Sequence, residues 1–519
     1  MTTAPVSSRP TLSSNPTTRP AGRASLWDWA GLAVLLIPVL MVSVANTVLS
    51  FALPAISMDL TPTASTLLWI TDIYPLVMAG LLVAMGSLGD RIGRRRILLI
   101  GSTGFALVSA LGALAPTAEW LVVARAALGF FGAMLMPATL SLIRTIFTNA
   151  RQRTLAVAIW AAGFSVGMTI GPVLGGLLLQ TYSWRAVFFM AVPLLVPMLV
   201  VAPWLLPESK NPTPGRVDLV SVGLSLLTLL PFVLGIKTVA HDGFSVLGTG
   251  ALVLGLSAGY VFVQRQLHVA SPLLDMRLFA IRPFTAAILA NLLSFFSLVG
   301  FTFFEAQQLQ LVLGYEPFTA GLLLVPAAGA AIAAGMGAVG LVRRLPKRHV
   351  MTGGLLVAAA AYGILVVAPA PIGVVALVVA SVVLSVGLGV SETVANDVIV
   401  ASVPADRAGA AAGVSETAYE LGTVLGFAVL GTIISSVNRH RVVLPAGLTP
   451  EQQGDARETL GGAVRVGESL SASQAEALLR SAATSFDAGI GVAAVIAMLV
   501  MVGAAVLVHR EMSPARLTR

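Results

Sequence analysis

Long runs of apolar residues, separated by short polar breaks, fill almost the whole chain. Fourteen of these runs are about 18–25 residues long, enough for a helix to cross the apolar part of a bilayer. They fall at approximately 28–50, 67–88, 97–115, 120–143, 154–179, 186–205, 218–238, 246–264, 283–308, 318–342, 351–368, 372–395, 411–435 and 487–509. The pattern predicts an all-α membrane protein with fourteen transmembrane helices. The clearest polar linker, PESKNPTPGR at 207–216, separates two halves, and spans 7 and 8 follow it. The first 26 residues are rich in Ser, Thr, Pro and Arg and lack the apolar core of a signal peptide, so a disordered tail is expected there. A second short tail is expected at 510–519. One break is long, at about 438–486, and contains the amphipathic run SASQAEALLRSAA. It reads as a hairpin or short helix, or as a disordered loop.

Charge gives the sequence an orientation. DRIGRRR (90–96), Arg144 with Arg151 and Arg153, Lys210 with Arg216, RRLPKRH (343–349) and Arg407 all follow even-numbered spans. The breaks after most odd-numbered spans carry almost no Arg or Lys. Positive charge stays inside, so both termini are expected in the cytoplasm and the long loop outside. The chain is 57% hydrophobic and 10% charged, against roughly 25% charged in soluble domains. Its net charge of +8 sits in these short loops, which argues against nucleic-acid binding. Cysteine is absent and the five histidines are scattered. No metal-ligand spacing, catalytic triad or nucleotide-binding loop is visible, so no metal, cofactor or ATP drive is expected. An enzyme reading lacks its catalytic set, and a sensor reading lacks a soluble signalling domain.

Against this apolar background, SETAYELGTVLG (415–426) stands out. Glu416 and Glu420 are four residues apart, on one helical face, one turn from each other. A charge at the bilayer centre costs roughly 2.5–3.5 kcal/mol even on lenient insertion scales. Such a carboxylate can exchange a proton, or it can pair with a cation when ionised. For Glu420 a structural bond to a neighbouring helix is the alternative.

Four motifs carry a family resemblance. GSLGDRIGRRR (86–96), with Gly86, Asp90, Arg91, Gly93, Arg94 and Arg95, resembles the loop 2–3 signature of the major facilitator superfamily. RAALGFFGA (125–133) resembles the span 4 motif, with Arg125 embedded in the membrane. GMTIGPVLGG (167–176) resembles the span 5 motif of antiporters, with Gly167, Gly171, Pro172, Gly175 and Gly176. SWRAVFFMAVP (183–193) resembles the signature at the start of span 6, with Ala191 in place of the usual Asn. Together with the fourteen spans, they resemble the fourteen-helix drug/proton antiporter branch, the quaternary-ammonium and dye efflux pumps of the QacA and LfrA type.

The resemblance implies two six-helix bundles, 27–206 and 283–509, joined by a segment at 207–282 that carries two extra helices, and alternating access around a midplane site. It implies proton-driven export of cationic amphiphilic drugs, dyes and antiseptics from a bacterial cytoplasmic membrane, by a monomer with no cofactor. A narrow antibiotic self-resistance exporter is the alternative. Glu416 and Glu420 fall where the family carries acids, although Ser415 replaces a third. Asp72 is expected to line an outer vestibule, or to be a helix-start acid. Glu392 and Asp397 lie at the inner end of span 12, with Glu392 the deeper of the two. Glu305, near the outer end of span 9, is either a second cation site or snorkels to the interface. Arg125 is expected to cap backbone carbonyls. An aromatic cavity is expected to draw on Tyr419, Trp69 and Phe304, which can hold an amine by cation–π contact. One departure bears on coupling. Ala45 stands where the family has an aspartate taken as the main proton-coupling group. Asn46 lies about 100° further round the helix and is not expected to replace it. Coupling then falls to Glu416 and its neighbours, or the chain is a coupling-impaired variant.

Overall fold

The computed structural model describes residues 24–210, 218–269, 272–403 and 408–513. Most of the expected N-terminal tail, Arg216, Arg407 and the last six residues lie outside the described residues. The helices are α1 (Leu26–Leu60), α2 (Ala64–Ile92), α3 (Arg94–Ala113), α4 (Ala118–Ile146), α5 (Ala150–Thr181), α6 (Arg185–Phe189) and α7 (Ala191–Leu205). Next come α8 (Leu219–Asp242), α9 (Val246–His268), α10 (Arg282–Gln307), α11 (Pro317–Leu323), α12 (Val325–Leu341), α13 (Lys347–Val367) and α14 (Val374–Ala401). The last are α15 (Ala408–Gly426), α16 (Thr432–Arg441), α17 (Pro450–Glu458), α18 (Leu460–Glu468) and α19 (Ala472–Glu511). Among the described residues 13 helical segments are long and apolar enough to cross a membrane. With the 32-residue α5, they give the fourteen crossings expected from the sequence.

Two apolar cores form. One gathers Leu35, Tyr74, Leu128 and Trp184 in the N-terminal half. The other gathers Phe301, Tyr362, Leu384 and Ile490 in the C-terminal half. Hydrocarbon supplies no hydrophobic drive between helices in a bilayer, so close backbone approach matters more. Gly175 of α5 illustrates it: a Cβ there would lie 2.8 Å from Val48 of α1. α8 and α9 pair with each other, and Val233 of α8 packs with Ile73 and Leu76 of α2 and with Val424 and Ala428. The inserted pair therefore sits on the seam where α2 meets α15.

The helix ends differ from the apolar runs. α1 continues ten residues past its expected end, to a C-cap at Thr61 with left-handed φ 48°. The run SASQAEALLRSAA belongs to the first turns of α19, not to a separate element. The rest of the long loop folds into α17, started by a Thr449–Gln452 capping box, and α18. These two short helices cap one end of the molecule. Thr459 hydrogen-bonds Ser57 of α1 (2.9 Å, both buried). The Glu458 carboxylate accepts from the Ala64 backbone N–H at the start of α2 (2.9 Å). The C-terminal half thus reaches across and holds the N-terminal half.

Candidate functional site

α15 carries the opening acids, and its glycines decide where they point. A Cβ on Gly426 would lie 2.5 Å from the Phe296 carbonyl oxygen. That backbone contact draws α15 onto α10 and places Tyr419 on Phe295, with ring centroids 4.4 Å apart. The Tyr419 hydroxyl donates to Asn396 Oδ1 (2.8 Å). Asn291 Nδ2 donates to Asn396 Oδ1 (3.1 Å) and approaches Ser415 Oγ (3.3 Å) and Tyr419 Oη (3.2 Å). Glu392, one turn before Asn396 on α14, is in polar contact with Tyr419. Glu416 is in electrostatic range of Glu392. Both acids are half-buried. A buried aromatic pair and two half-buried carboxylates therefore lie together in the C-terminal bundle. A π-helical stretch, Phe427–Gly431, follows directly, a feature often found at functional sites.

Glu420 faces the other bundle. It meets Asn46 of α1 and lies in range of Arg125 of α4. One of its oxygens is buried with no protein partner among the described residues. Arg125 donates from Nε to the Ile70 carbonyl (3.0 Å) and stacks on Tyr74, 4.4 Å from the ring centroid. Asn46, not expected to replace the acid at 45, meets Glu420 from α1. Ala45 beside it packs against the N-terminal core.

Several expected residues lie elsewhere. Asp72 lines no vestibule and starts no helix. It is fully buried within α2 and ion-paired with Lys237 of α8 at 2.7 Å. Trp69 lies under that ammonium, 4.2 Å from ring centroid to Nζ, so its face is already occupied. Glu305 does not snorkel: it is buried, facing Ser381. Phe304 is fully buried against Phe301, 4.9 Å between centroids, inside the bundle rather than on a cavity wall. Lys237, Asn291 and Asn396 escaped the sequence reading. A single Lys inside the apolar span 7 was the signal available for the first.

The motif residues make latches. Asp90 accepts from Arg94 Nε (2.9 Å), and Arg91 is exposed. Arg95 donates to the Pro203 and Leu206 carbonyls, both at 3.0 Å. Glu208, just after α7, accepts from the Arg95 backbone N–H (3.2 Å). Gly93 has φ +117°, and a Cβ there would lie 2.6 Å from Glu208, so the turn needs glycine. Gly86 rests on Pro137 of α4 at ordinary contact distance. Gly167 and Gly171 take up Ser43 and Thr47 of α1. Gly176 and Pro172 face Pro317 and Gly321 of α11 across the bundle boundary, where a Gly321 Cβ would lie 2.7 Å from the Pro172 carbonyl. Trp184 and Arg185, in the span 6 motif, both donate to Asp59 of α1, each at 2.8 Å.

Residues 35–427 match the family described as Major Facilitator Superfamily. The chain belongs to that superfamily. Among its relatives, it is 53% identical to "Multidrug efflux pump LfrA" of Mycolicibacterium smegmatis, over 95% of this chain and 97% of that one. It is 34% identical to "Methyl viologen resistance protein SmvA" of Salmonella typhimurium, over 88% of this chain and 93% of that one. The "Tetracenomycin C resistance and export protein" of Streptomyces glaucescens is 32% identical, over 79% of this chain and 76% of that one. These relatives agree with the resemblance read from the motifs. A solved bacterial homolog of the human lysosomal transporter Spinster, inward-facing and unoccupied, superposes with a TM-score of 0.63 at 18% identity, covering 94% of this chain and 99% of that one. That likeness places this major facilitator chain in the transporter fold.

Proposed function

We propose that this major facilitator chain exports lipophilic cations, including drugs, dyes and antiseptics, in exchange for protons. The observation that carries the reading is the Glu392–Glu416–Tyr419–Phe295 cluster. An aromatic ring holds an amine or quaternary ammonium by cation–π contact, and a nearby carboxylate adds charge attraction. In a poorly solvated site the same carboxylates can take a proton instead. One site that accepts either a proton or a cation, but not both, is the minimum an antiporter needs. Glu420, set between the bundles near Arg125, is suited to sense which of the two is bound. With alanine at 45, coupling is assigned to Glu392 and Glu416. The names of the relatives, a multidrug efflux pump and a methyl viologen resistance protein, support export of such compounds.

The arginine-rich loops support an orientation with both termini in the cytoplasm and α17–α18 outside a bacterial cytoplasmic membrane. A single chain holds both bundles, so a monomer suffices for alternating access.

Purified protein in liposomes with an imposed pH gradient tests the reading. Ethidium, a monovalent fluorescent cation, is expected to accumulate against its own gradient, and a protonophore is expected to abolish this. Equal ethidium movement with and without the pH gradient overturns proton coupling. A narrow self-resistance exporter is recognised by transport of one compound across a panel of unrelated cations.

A further inference from the structure

We infer that Asp72 and Lys237 form a proton-transfer site reached from the α17–α18 end of the molecule, with Lys237 as the residue that passes the proton to Asp72. The inference rests on the proton-coupled reading above. The Lys237 ammonium lies 2.7 Å from Asp72 Oδ2, with side-chain exposures of 2% and 0%. The Thr71 hydroxyl, which donates to the Leu68 carbonyl at 2.8 Å, lies 3.3 Å from the other Asp72 oxygen. Apart from the ion pair, neither Asp72 Oδ2 nor Lys237 Nζ has a hydrogen-bond partner among the described residues. Ile73, Leu76 and Val233 keep the surroundings apolar.

Lys237 also lines a crevice with Ser65 of α2 and Thr432, Ser435, Ser436 and Arg439 of α16. Its free volume is about 20 Å³, enough for roughly one water molecule. Hydroxyls both donate and accept, so they can pass a proton along. Ser65 lies beside the Ala64 N–H that meets Glu458, so the mouth of the crevice is at the α17–α18 end. Lys237 thus stands between the crevice and the carboxylate. Among the described residues, the charged groups facing it are Asp72 from α2 and Arg439 from α16, and Arg439 is held by Glu458. α9 carries its charge at the far end, where Arg265 pairs with Asp218. Arg125 of α4 is engaged with Ile70 and Tyr74.

The transfer balances. An N–H bond of the ammonium breaks as an O–H bond forms on Asp72 Oδ2, leaving a neutral amine and a neutral acid. The amine then takes a proton from hydronium in the crevice. The net result is one added proton, now on Asp72, beside a Lys237 that is again cationic. The attraction between α2 and α8 is lost, so proton uptake loosens the inserted helix from the N-terminal bundle. A buried ion pair is weak support for stability alone, and a transfer role accounts for its place at the end of a polar crevice.

Lys237→Arg separates a relay from a tether. Arginine can pair with Asp72 but does not deprotonate in a protein. In the liposome assay, the arginine variant is expected to bind ethidium with a Kd within about twofold of wild type, while gradient-driven efflux falls at least about tenfold. Its rate is also expected to lose its dependence on the pH at the α17–α18 side. A variant that pumps at the wild-type rate with the wild-type pH profile overturns the inference. Should arginine fail to fit, Ser436→Cys decides, because the chain has no native cysteine. Modification with a bulky methanethiosulfonate is expected to slow proton uptake at least about fivefold and leave ethidium binding unchanged. Unaltered proton uptake after complete modification overturns the inference. If the wild type shows no gradient-driven efflux, the broader reading fails and this one with it. Coupled wild-type efflux with unaffected variants removes this one alone.

Discussion

A carboxylate beside an aromatic ring offers a cation two attractions at once, and removing one should leave the other measurable. Glu416→Gln keeps the size of the side chain and the ring pair Tyr419–Phe295. Its ethidium Kd is expected to rise about tenfold, roughly 1.4 kcal/mol, with near-normal expression. Fluorescence titration checks this, and an unchanged Kd with unchanged transport leaves Glu416 a structural acid. Position 45 gives the reverse test. Ala45 is half-buried in a helix whose Thr47 packs on Gly171, so an acid placed there would sit beside a close helix contact. Ala45→Asp is expected to raise gradient-driven efflux of monovalent cations and to add a pH dependence between roughly 6 and 8. A slower pump, or the same pH profile, places all coupling in the acids already present. Asn46, which meets Glu420, shows the limit of reading a helix by angle from one residue. The angle separates it from position 45 but says nothing of what a second bundle brings to its other side.

At the scale of elements, backbone contacts between helices set what can move. A Cβ on Gly176 would overlap the Pro317 carbonyl and Phe318 Cα, and backbone cannot swing aside as a flexible side chain can. Gly176→Ala is therefore expected to force α5 and α11 apart and favour the state open at that end. Increased labelling of a cysteine at Gln180, which now bonds Glu316 at 2.9 Å, measures it; unchanged labelling means that the seam yields elsewhere. The α8–α9 pair has its own clasp. Arg265 binds both oxygens of Asp218, the N-cap residue of α8, at 3.0 and 2.9 Å. Those hydrogen bonds, the largest cause, pull the carboxyl down to about 2. A lowered carboxyl contributes fully above its unfolded value near 3.9 and loses that contribution as pH falls towards 2. Thermal stability in detergent is expected to drop between about pH 4 and 2 in wild type. Asp218→Asn is expected to be less stable at neutral pH and flatter across that range; identical curves would leave the clasp without weight.

The elements were largely legible because bilayer spans leave long apolar runs that nothing else imitates. The motif residues were legible through their resemblance to the family's signatures, and the structure gives several of them a physical reason, as at Gly93 and Gly176. Pairings between distant spans were not. Nothing near Asp72 in the sequence points to Lys237, and Glu208 sits in a linker that reads only as polar. The long loop, expected as a hairpin or short helix or as a disordered loop, holds two short helices, and only the place of its amphipathic run differs. α18 buries Leu460, Ala463 and Val466, three residues apart, in the C-terminal core, but glycines at 461, 462 and 467 and the shortness of the stretch hide that period among polar residues.

For the molecule as a whole, that cap decides how two bundles can rock. α17 and α18 follow α16 of the C-terminal half, yet they grip α1 through Thr459 and the start of α2 through Glu458. With α5 against α11, they close one end of the molecule. Opening that end requires the Ser57–Thr459 contact to break, unless the cap detaches from its own bundle and travels with the other. The absence of native cysteine makes the choice testable. In Ser57→Cys with Thr459→Cys, the two side-chain positions, 2.9 Å apart as hydroxyls, are expected to cross-link on mild oxidation. Cross-linked protein is expected to bind ethidium from the end bearing the termini but to lose gradient-driven efflux almost completely, with recovery on reduction. Exposed single cysteines at Arg96 and Gly454 are expected to label from opposite sides of the membrane, which fixes the face that the cross-link closes. Labelling of both from one side removes the proposed topology. Full transport by the cross-linked protein means that the cap rides on the N-terminal bundle, and the moving boundary then lies between α17 and α16, where Arg439 meets Glu458.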